Sequence, residues 1–301
     1  MILILVCQFL AFRLQRSVRI MSRRSLLRVI VDRMPERLAV IIGVFNCKGG
    51  VGKTTVSVNL GAALAAPRRR VLLVDLDSQA SASLWLGVPR SQLRPSAASV
   101  LLEKYPILKA IRHTATPHLD LLPGSLDLAN ADVTLCSMRG REAALGRMLE
   151  RAKPHYDLIL LDCAPGMSLL AVNTVLASDA LIVPVCPEPL AAEGLETMML
   201  AIQRVRVRLP ARSRIIGVVL TGVDSSRRTT RESIERLRAG DRDSVLHTEI
   251  RWAAALSEAP QARKTIFALA PRSASADAFR RLAGEVLQRL QSIHHSASIS
   301  N

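Results

Sequence analysis

The sequence predicts an α/β fold, a mostly parallel twisted sheet with helices on both faces. Three observations lead there. Short β-branched, aliphatic runs recur along the chain with stretches of helical periodicity between them, the pattern of strands buried on both faces. Several of these runs end on an aspartate, as in VLLVDLD and DLILLD. A glycine-rich segment, KGGVGKTT, stands between a strand signal and a helix signal.

Taken in order, residues 39–45 (AVIIGVF) read as a buried strand and 54–66 as a helix, stopped by Pro67 and three arginines. Residues 71–76 are a second strand, 118–122 a short one ending at Pro123-Gly124, and 138–153 a helix. Residues 157–162 and 180–185 are further strands. Residues 190–208 form a helix with Leu195, Met198, Met199, Ile202 and Val205 on one face. Then come a strand at 214–220, a charged helix at 228–239, a weaker strand at 245–250 and a last helix at 277–293. No internal repeat interrupts this order, so residues 38–293 are taken as one domain and 294–301 as a disordered tail.

The formal net charge of +16 points to a polyanionic partner, nucleic acid or an anionic membrane. The competing explanation is base composition, because arginine far outnumbers lysine. Aromatics make up only 3% of the chain, too few for base-stacking platforms of the single-strand-binding kind. The cysteines (Cys7, Cys47, Cys136, Cys163 and Cys186) form no CxxC pair, which speaks against zinc and disulfide frameworks. The first twelve residues are apolar but too few to span a bilayer. Residues 13–37 carry eight arginines against Asp32 and Glu36. This 1–37 extension reads as a basic arm or a surface helix, or as lying ahead of a true start at Met21 or Met34; the last is preferred.

KGGVGKTT carries the chemistry. Gly49, Gly50 and Gly52 let backbone wrap closely around phosphate oxygens, with Val51 between them. Amides of the loop through Thr55 point at the anion from a helix N-terminus. Lys53 is placed for the β- and γ-phosphates and Thr54 for magnesium. Cys47 stands where GxxxxGK[ST] has its first glycine, and Lys48 follows it. The segment is thus a variant phosphate loop, and the fold that of a P-loop nucleoside triphosphatase. A metal-side carboxylate is expected at the end of a neighbouring strand: Asp162, or Asp75 and Asp77.

Several segments then match one family in order and spacing. KGGVGKTT, VLLVDLDSQASAS, LLPGSLDLA, YDLILLDCAPGMSLLAVNTVLASDALIVPV, EGL at 193–195 and LSEAP at 256–260 resemble the ParA-type partition ATPases. These are the deviant Walker A proteins that also include MinD. The resemblance implies that Lys48 reaches across an ATP-bound homodimer to the partner's phosphates. It further implies that Lys53 is the loop lysine, Thr54 and Asp162 hold Mg²⁺, and Asp77 is the switch aspartate for the hydrolytic water. Such a protein would bind ATP, hydrolyse it slowly, respond to a ParB-like adaptor and hold DNA without sequence preference, in the cytoplasm on the nucleoid.

The sequence departs from the family pattern at Ser78, at Ala164 and in IRWAAA from Ile250 to Ala255, where relatives read like IPRNVR. Ala255 removes one arginine implicated in DNA contact. Arg251 is a substitute candidate, and Arg227, Arg228 and Arg231 are others. A MinD-like membrane ATPase is the alternative. It needs a membrane helix, whereas the last helix, with Arg280, Arg281 and Arg289, is expected to pack on the sheet. An iron-sulfur relative would need paired cysteines that Cys136 and Cys163 do not supply.

Overall fold

In the computed structural model, residues 39–240 and 244–299 are described, 293–299 as backbone. The 1–37 extension lies outside the described residues. Strands β1 (Val40–Val44), β2 (Val71–Leu76), β3 (Arg112–His113), β4 (Leu119–Leu122), β5 (Leu158–Cys163), β6 (Ala180–Val185), β7 (Arg214–Val223) and β8 (Val245–Arg251) build one sheet in the order β3-β4-β2-β5-β1-β6-β7-β8. Every pairing is parallel except the edge pair of β3 with β4. β1 runs between β5 and β6, so the segment leaving it emerges at the centre of the sheet's carboxyl edge, where α/β proteins bind ligands.

Successive strand residues point to opposite faces, and each face has its own core. Ile41, Phe45, Leu72, Val74, Ile159, Leu161, Leu181 and Val183 pack on one side. That side is covered by α3 (Ala97–Glu103), α5 (Ala131–Cys136), α6 (Ala144–Leu149), α7 (Leu169–Ala177), α8 (Ala191–Arg208) and α9 (Arg228–Gly240), which contribute the remaining buried residues. Ile42, Val44, Val71, Leu73, Leu158, Leu160 and Ile182 face the other core with α1 (Lys53–Leu64), α2 (Ser81–Trp85) and α12 (Ala274–Ile299). Short helices α4 (Ile107–Ala110), α10 (Ala254–Glu258) and α11 (Ile266–Leu269) complete the connections.

The two-residue β3 was not among the expected strands; the others lie within a residue or so of their sequence-based bounds, β7 excepted, which continues to Val223. The helix predicted over 138–153 is instead a 3₁₀ turn at Arg141–Ala143, α6, and a second 3₁₀ turn at Lys153–His155. Gly140 at φ +64° starts it late and Pro154 ends it early. α12 packs its Phe279, Leu282 and Val286 face against β8 and α1, as expected. It also runs on to Ile299, into the stretch taken as a disordered tail, because neither glycine nor proline stops it there.

α7 had no sequence signal. It is apolar on nearly every side, so no period of 3.6 stands out. Its start is secured instead by Ser168, which accepts the Ala171 N–H at 3.2 Å, and by Asp132, which accepts from Leu169 and Leu170 at 3.1 and 3.0 Å.

Gly217 on β7 tests how tightly the second face is packed. A Cβ there would stand 2.4 Å from Leu246 Cδ2 and 2.5 Å from its Cγ, and Leu246 is wholly buried. Gly217→Ala is expected to lower stability by about 1–3 kcal/mol in urea denaturation. An unchanged midpoint and slope would contradict this packing.

Candidate active site

The phosphate loop is built by what anchors its two ends. The Phe45 N–H still bonds the Ile182 carbonyl at 2.9 Å, holding the chain in the sheet. Asn46 then turns it outward: its side-chain amide donates to the Pro184 carbonyl at 2.7 Å, and its Oδ1 accepts the Lys48 N–H at 2.9 Å. Gly50 and Gly52 have φ of +74° and +81°, the left-handed region, and Gly52 caps the start of α1. Val51 is buried beneath the loop, and its carbonyl accepts the Thr221 hydroxyl at 2.8 Å. Gly49 needs no unusual φ and faces open space. Nothing inside the protein requires glycine there, which leaves close approach of a ligand to bare backbone as its physical reason.

α1 carries the charged groups into the site. Lys53 is only 7% exposed, and its Nζ donates to the Lys48 carbonyl at 2.8 Å, across the loop. Burial lowers its pKa; Asp162 opposes that most strongly, with a smaller contribution from Asp77. Thr54 Oγ1 donates to Asp162 Oδ2 at 2.9 Å and Ser57 Oγ to Asp162 Oδ1 at 2.8 Å. Asp162, the penultimate residue of β5, is fully buried, and burial, reinforced by nearby Asp75, pushes its pKa up to about 7.

The strand-end aspartates of β2 have separate places. Asp75 is opposite Asp162 in the β2–β5 register and fully buried. Its oxygens accept the Ser83 hydroxyl at 2.6 Å, the Ser83 N–H at 2.9 Å and the Asp77 N–H at 3.2 Å. Burial pushes it up to about 6. It is consumed by the protein's own donors. Asp77, half-buried just past the strand, accepts the Gln79 N–H on Oδ1 at 2.9 Å and acts electrostatically on both Lys53 and Asp162. Of the two, Asp77 keeps an oxygen, Oδ2, with no hydrogen-bond partner among the described residues.

Lys48 is exposed and ion-paired with Glu188, also exposed. Such a pair is weakly held and easily exchanged. Arg227 and Arg228 pair with Asp224 and Glu232 at 3.1 and 2.6 Å, and Arg231 donates to the Ser225 carbonyl at 2.7 Å. These three, at the start of α9, stay exposed, as does Arg251, which ends β8 opposite Val223. All four arginines therefore lie toward the carboxyl end of the β7–β8 edge. Gly50, Gly52 and Thr55 form, with Thr221, Arg251 and Trp252, a cavity of about 360 Å³.

Sequence reasoning brought Lys53, Thr54, Asp77 and Asp162 to one place, but missed Asn46, Ser57, Thr221 and Glu188. Ser57 could have been found, lying three residues after Thr54 on the same helix face. Thr221 is 170 residues from its partner Val51, and only the fold joins them. Among the described residues no cluster of three His, Cys, Asp or Glu side chains suits a metal. The oxygen donors Thr54 and Asp162, 2.9 Å apart, do fit a hard cation such as Mg²⁺ that keeps water and phosphate in its shell.

A family model described as "AAA domain" matches residues 39–215. The chain is 39% identical over 246 residues to the sporulation initiation inhibitor protein Soj of Bacillus subtilis, covering 82% of this chain and 97% of that one. It is 38% identical over 251 residues to the chromosome partitioning protein ParA of Caulobacter vibrioides, covering 83% and 94%. Among solved structures, cobyrinic acid a,c-diamide synthase of Mycobacterium smegmatis with bound ATP analog and magnesium superposes with a TM-score of 0.73 at 31% identity, covering 85% of this chain and 97% of that one. With this sheet order, this loop and these relatives, the chain belongs to the ParA/Soj-type partition ATPase family.

Proposed function

We propose that the chain binds ATP with Mg²⁺ on the Lys48–Thr55 loop, dimerises around it and hydrolyses it slowly. In the ATP state it would hold DNA without sequence preference and position or segregate a cargo with a ParB-like partner. The observation that carries this reading is the union of a buried Lys53 with the Thr54–Asp162 oxygen pair beneath a loop of bare glycine backbone.

Each group then has a task. Amides of Gly50 to Thr55 and the N-terminus of α1 take phosphate oxygens, and Lys53 exchanges the Lys48 carbonyl for a β- or γ-oxygen. Thr54 and Asp162 would hold Mg²⁺, whose charge, when bound, offsets that of the phosphates. Asp77, whose Oδ2 bonds to no described residue, orients the attacking water. Lys48 leaves Glu188 for the partner's phosphates, adding a cation where charge develops in the transition state. The exposed arginines at the β7–β8 edge supply phosphate contacts to DNA, of the kind that positions without reading sequence.

An ATP-dependent gel shift over a salt series tests the DNA part. Binding should need ATP and fall steeply with salt. Arg227→Ala with Arg228→Ala should weaken it without changing ATP affinity, and binding indifferent to ATP would contradict the reading. Asp77→Ala should abolish turnover and leave the ATP-dependent DNA complex intact. Normal turnover in that variant would remove Asp77 from the mechanism.

A pH dependence follows from Asp162 and Asp75. Their folded pKa values, about 7 and about 6, lie above the ordinary carboxylate value. Between those limits the folded, nucleotide-free chain holds more protons than the unfolded one, so the pair's contribution to stability is lost as pH rises. In EDTA, wild type should lose stability relative to Asp162→Asn between pH 5 and pH 8. Because Mg²⁺ needs Asp162 ionised, Mg-ATP affinity should rise from pH 6 to 8 by up to about tenfold, and Asp162→Asn should flatten that rise. A wild-type-to-variant difference independent of pH would contradict the assignment.

A further inference from the structure

The densest run of arginines among the described residues lies at the end of the sheet opposite the phosphate loop. The sheet is parallel through β1, β6 and β7, so α8 finishes and β7 begins at the amino edge. Across that corner the chain reads RVRVRLPARSR, residues 204–214, and no Asp or Glu occurs from Thr197 to Val223. Arg204, Arg208, Arg212 and Arg214 are exposed, and none forms an ion pair with a described residue. The carbonyl end of α8 accounts for Arg206 and Arg208 in its last turn, but not for Arg204, Arg212 and Arg214.

Arg206 fixes the corner. Its guanidinium donates to the Ser213 carbonyl and ties the helix end to the strand start. Arg206 Nε and Ser213 Oγ are buried without a hydrogen-bond partner among the described residues. Unpaired buried polar atoms oppose stability, so packing alone does not explain this arrangement. Apolar side chains stand among the charges. Val207, 79% exposed, is the most exposed large hydrophobic side chain among the described residues. Leu200, also exposed, precedes it by one heptad on the same outward face of α8. A phosphodiester backbone is held by charge and gains nothing from these two side chains. An anionic bilayer surface uses both kinds, cations for its headgroups and apolar side chains at the acyl boundary.

The chain also enters the sheet at this edge. The Ile41 N–H donates to Asp179 Oδ2 at 2.8 Å, and the Arg214 N–H donates to the Asp179 carbonyl at 3.0 Å. The start of β1 is thus two strands from Arg214, about 10 Å. The residues that precede β1 open with a twelve-residue apolar run and carry eight arginines between 13 and 37. Their charge has the sign of the cluster, so they are not its partner. A surface that attracts one attracts the other.

We propose that the α8–β7 corner, through Arg204, Val207, Arg208, Arg212 and Arg214, docks on an anionic lipid bilayer. The nucleotide edge is at the other end of the strands and stays free. The proposal goes beyond the nucleotide reading and does not depend on it. Each arginine at such a surface is worth about fivefold in affinity, so the contact is reversible.

Sedimentation of the full chain with vesicles tests it, using phosphatidylcholine alone and phosphatidylcholine mixed with phosphatidylglycerol. The chain should sediment with the anionic vesicles and not with the neutral ones. Arg208→Gln with Arg212→Gln should weaken that binding by about twentyfold, and Arg208→Lys with Arg212→Lys should stay within about threefold of wild type. Val207→Ser should weaken it by about threefold or more and leave the DNA gel shift unchanged. Arg227→Ala with Arg228→Ala, at the far edge, should leave vesicle binding as it was. Equal vesicle binding by wild type and the double glutamine variant overturns the proposal, as does a wild type that ignores anionic vesicles at low salt. So does a double glutamine variant that loses DNA and keeps vesicles, which would make the corner a nucleic-acid surface. An equal loss in the glutamine and lysine variants would mark a distorted corner and overturn it as well.

Discussion

One buried carboxylate organises the carboxyl end of this sheet. Asp162 has left water entirely, and two hydroxyls of α1, from Thr54 and Ser57, bond its two oxygens. Those bonds tie the helix after the phosphate loop to the strand beside the one before it. Without them an ionised acid would be stranded in the core, at a cost of several kcal/mol. The nearby Lys53 ammonium offsets part of that charge, while Asp75 across the β2–β5 register works against it. The loop's shape and the site's charge thus depend on the same few atoms.

The opposite end of the sheet shows what a purely structural acid looks like. Asp120 on β4 accepts from Tyr156 at 2.9 Å, Arg70 at 3.2 Å and His113 at 2.7 Å, and Arg70 lies 5.0 Å over the Tyr156 ring. These three donors occupy both of its oxygens. Asp75 is of the same kind, saturated by Ser83 and the Asp77 N–H. Gly124 packs against it closely enough that a Cβ there would meet its carboxyl carbon at 2.8 Å. Asp162 differs, because its partner Thr54 stands at the edge of the loop. The hydroxyl can exchange the carboxylate for a cation without unfolding anything.

Much of this was legible in the sequence, for a physical reason. Strands buried on both faces must be continuous aliphatic runs, so β1, β2, β5 and β6 announced themselves, and KGGVGKTT between β1 and α1 has few other uses. What stayed hidden either lacks a period or depends on the fold. α7 is apolar nearly all round, α4 spans four residues, and the helix expected over 138–153 is broken at Gly140 and Pro154. The residues alone left Asp75 and Asp77 side by side, the family resemblance pointed to Asp77, and only the fold showed that Asp75 is taken up by Ser83 and the Asp77 N–H. Lys48 showed as an extra loop lysine, but its pairing with Glu188 needed the β6–α8 connection folded against it.

The proposed function rests on a glycine loop, Lys53 and the Thr54–Asp162 pair gripping a magnesium-bound triphosphate. Calorimetric titration of ATP into wild type and Lys53→Ala, each with magnesium and with EDTA, tests it most directly. Wild type should bind saturably and markedly more weakly in EDTA, and Lys53→Ala, still folded, should not bind in either buffer. Wild-type affinity in Lys53→Ala, or binding by wild type that ignores magnesium, would contradict it.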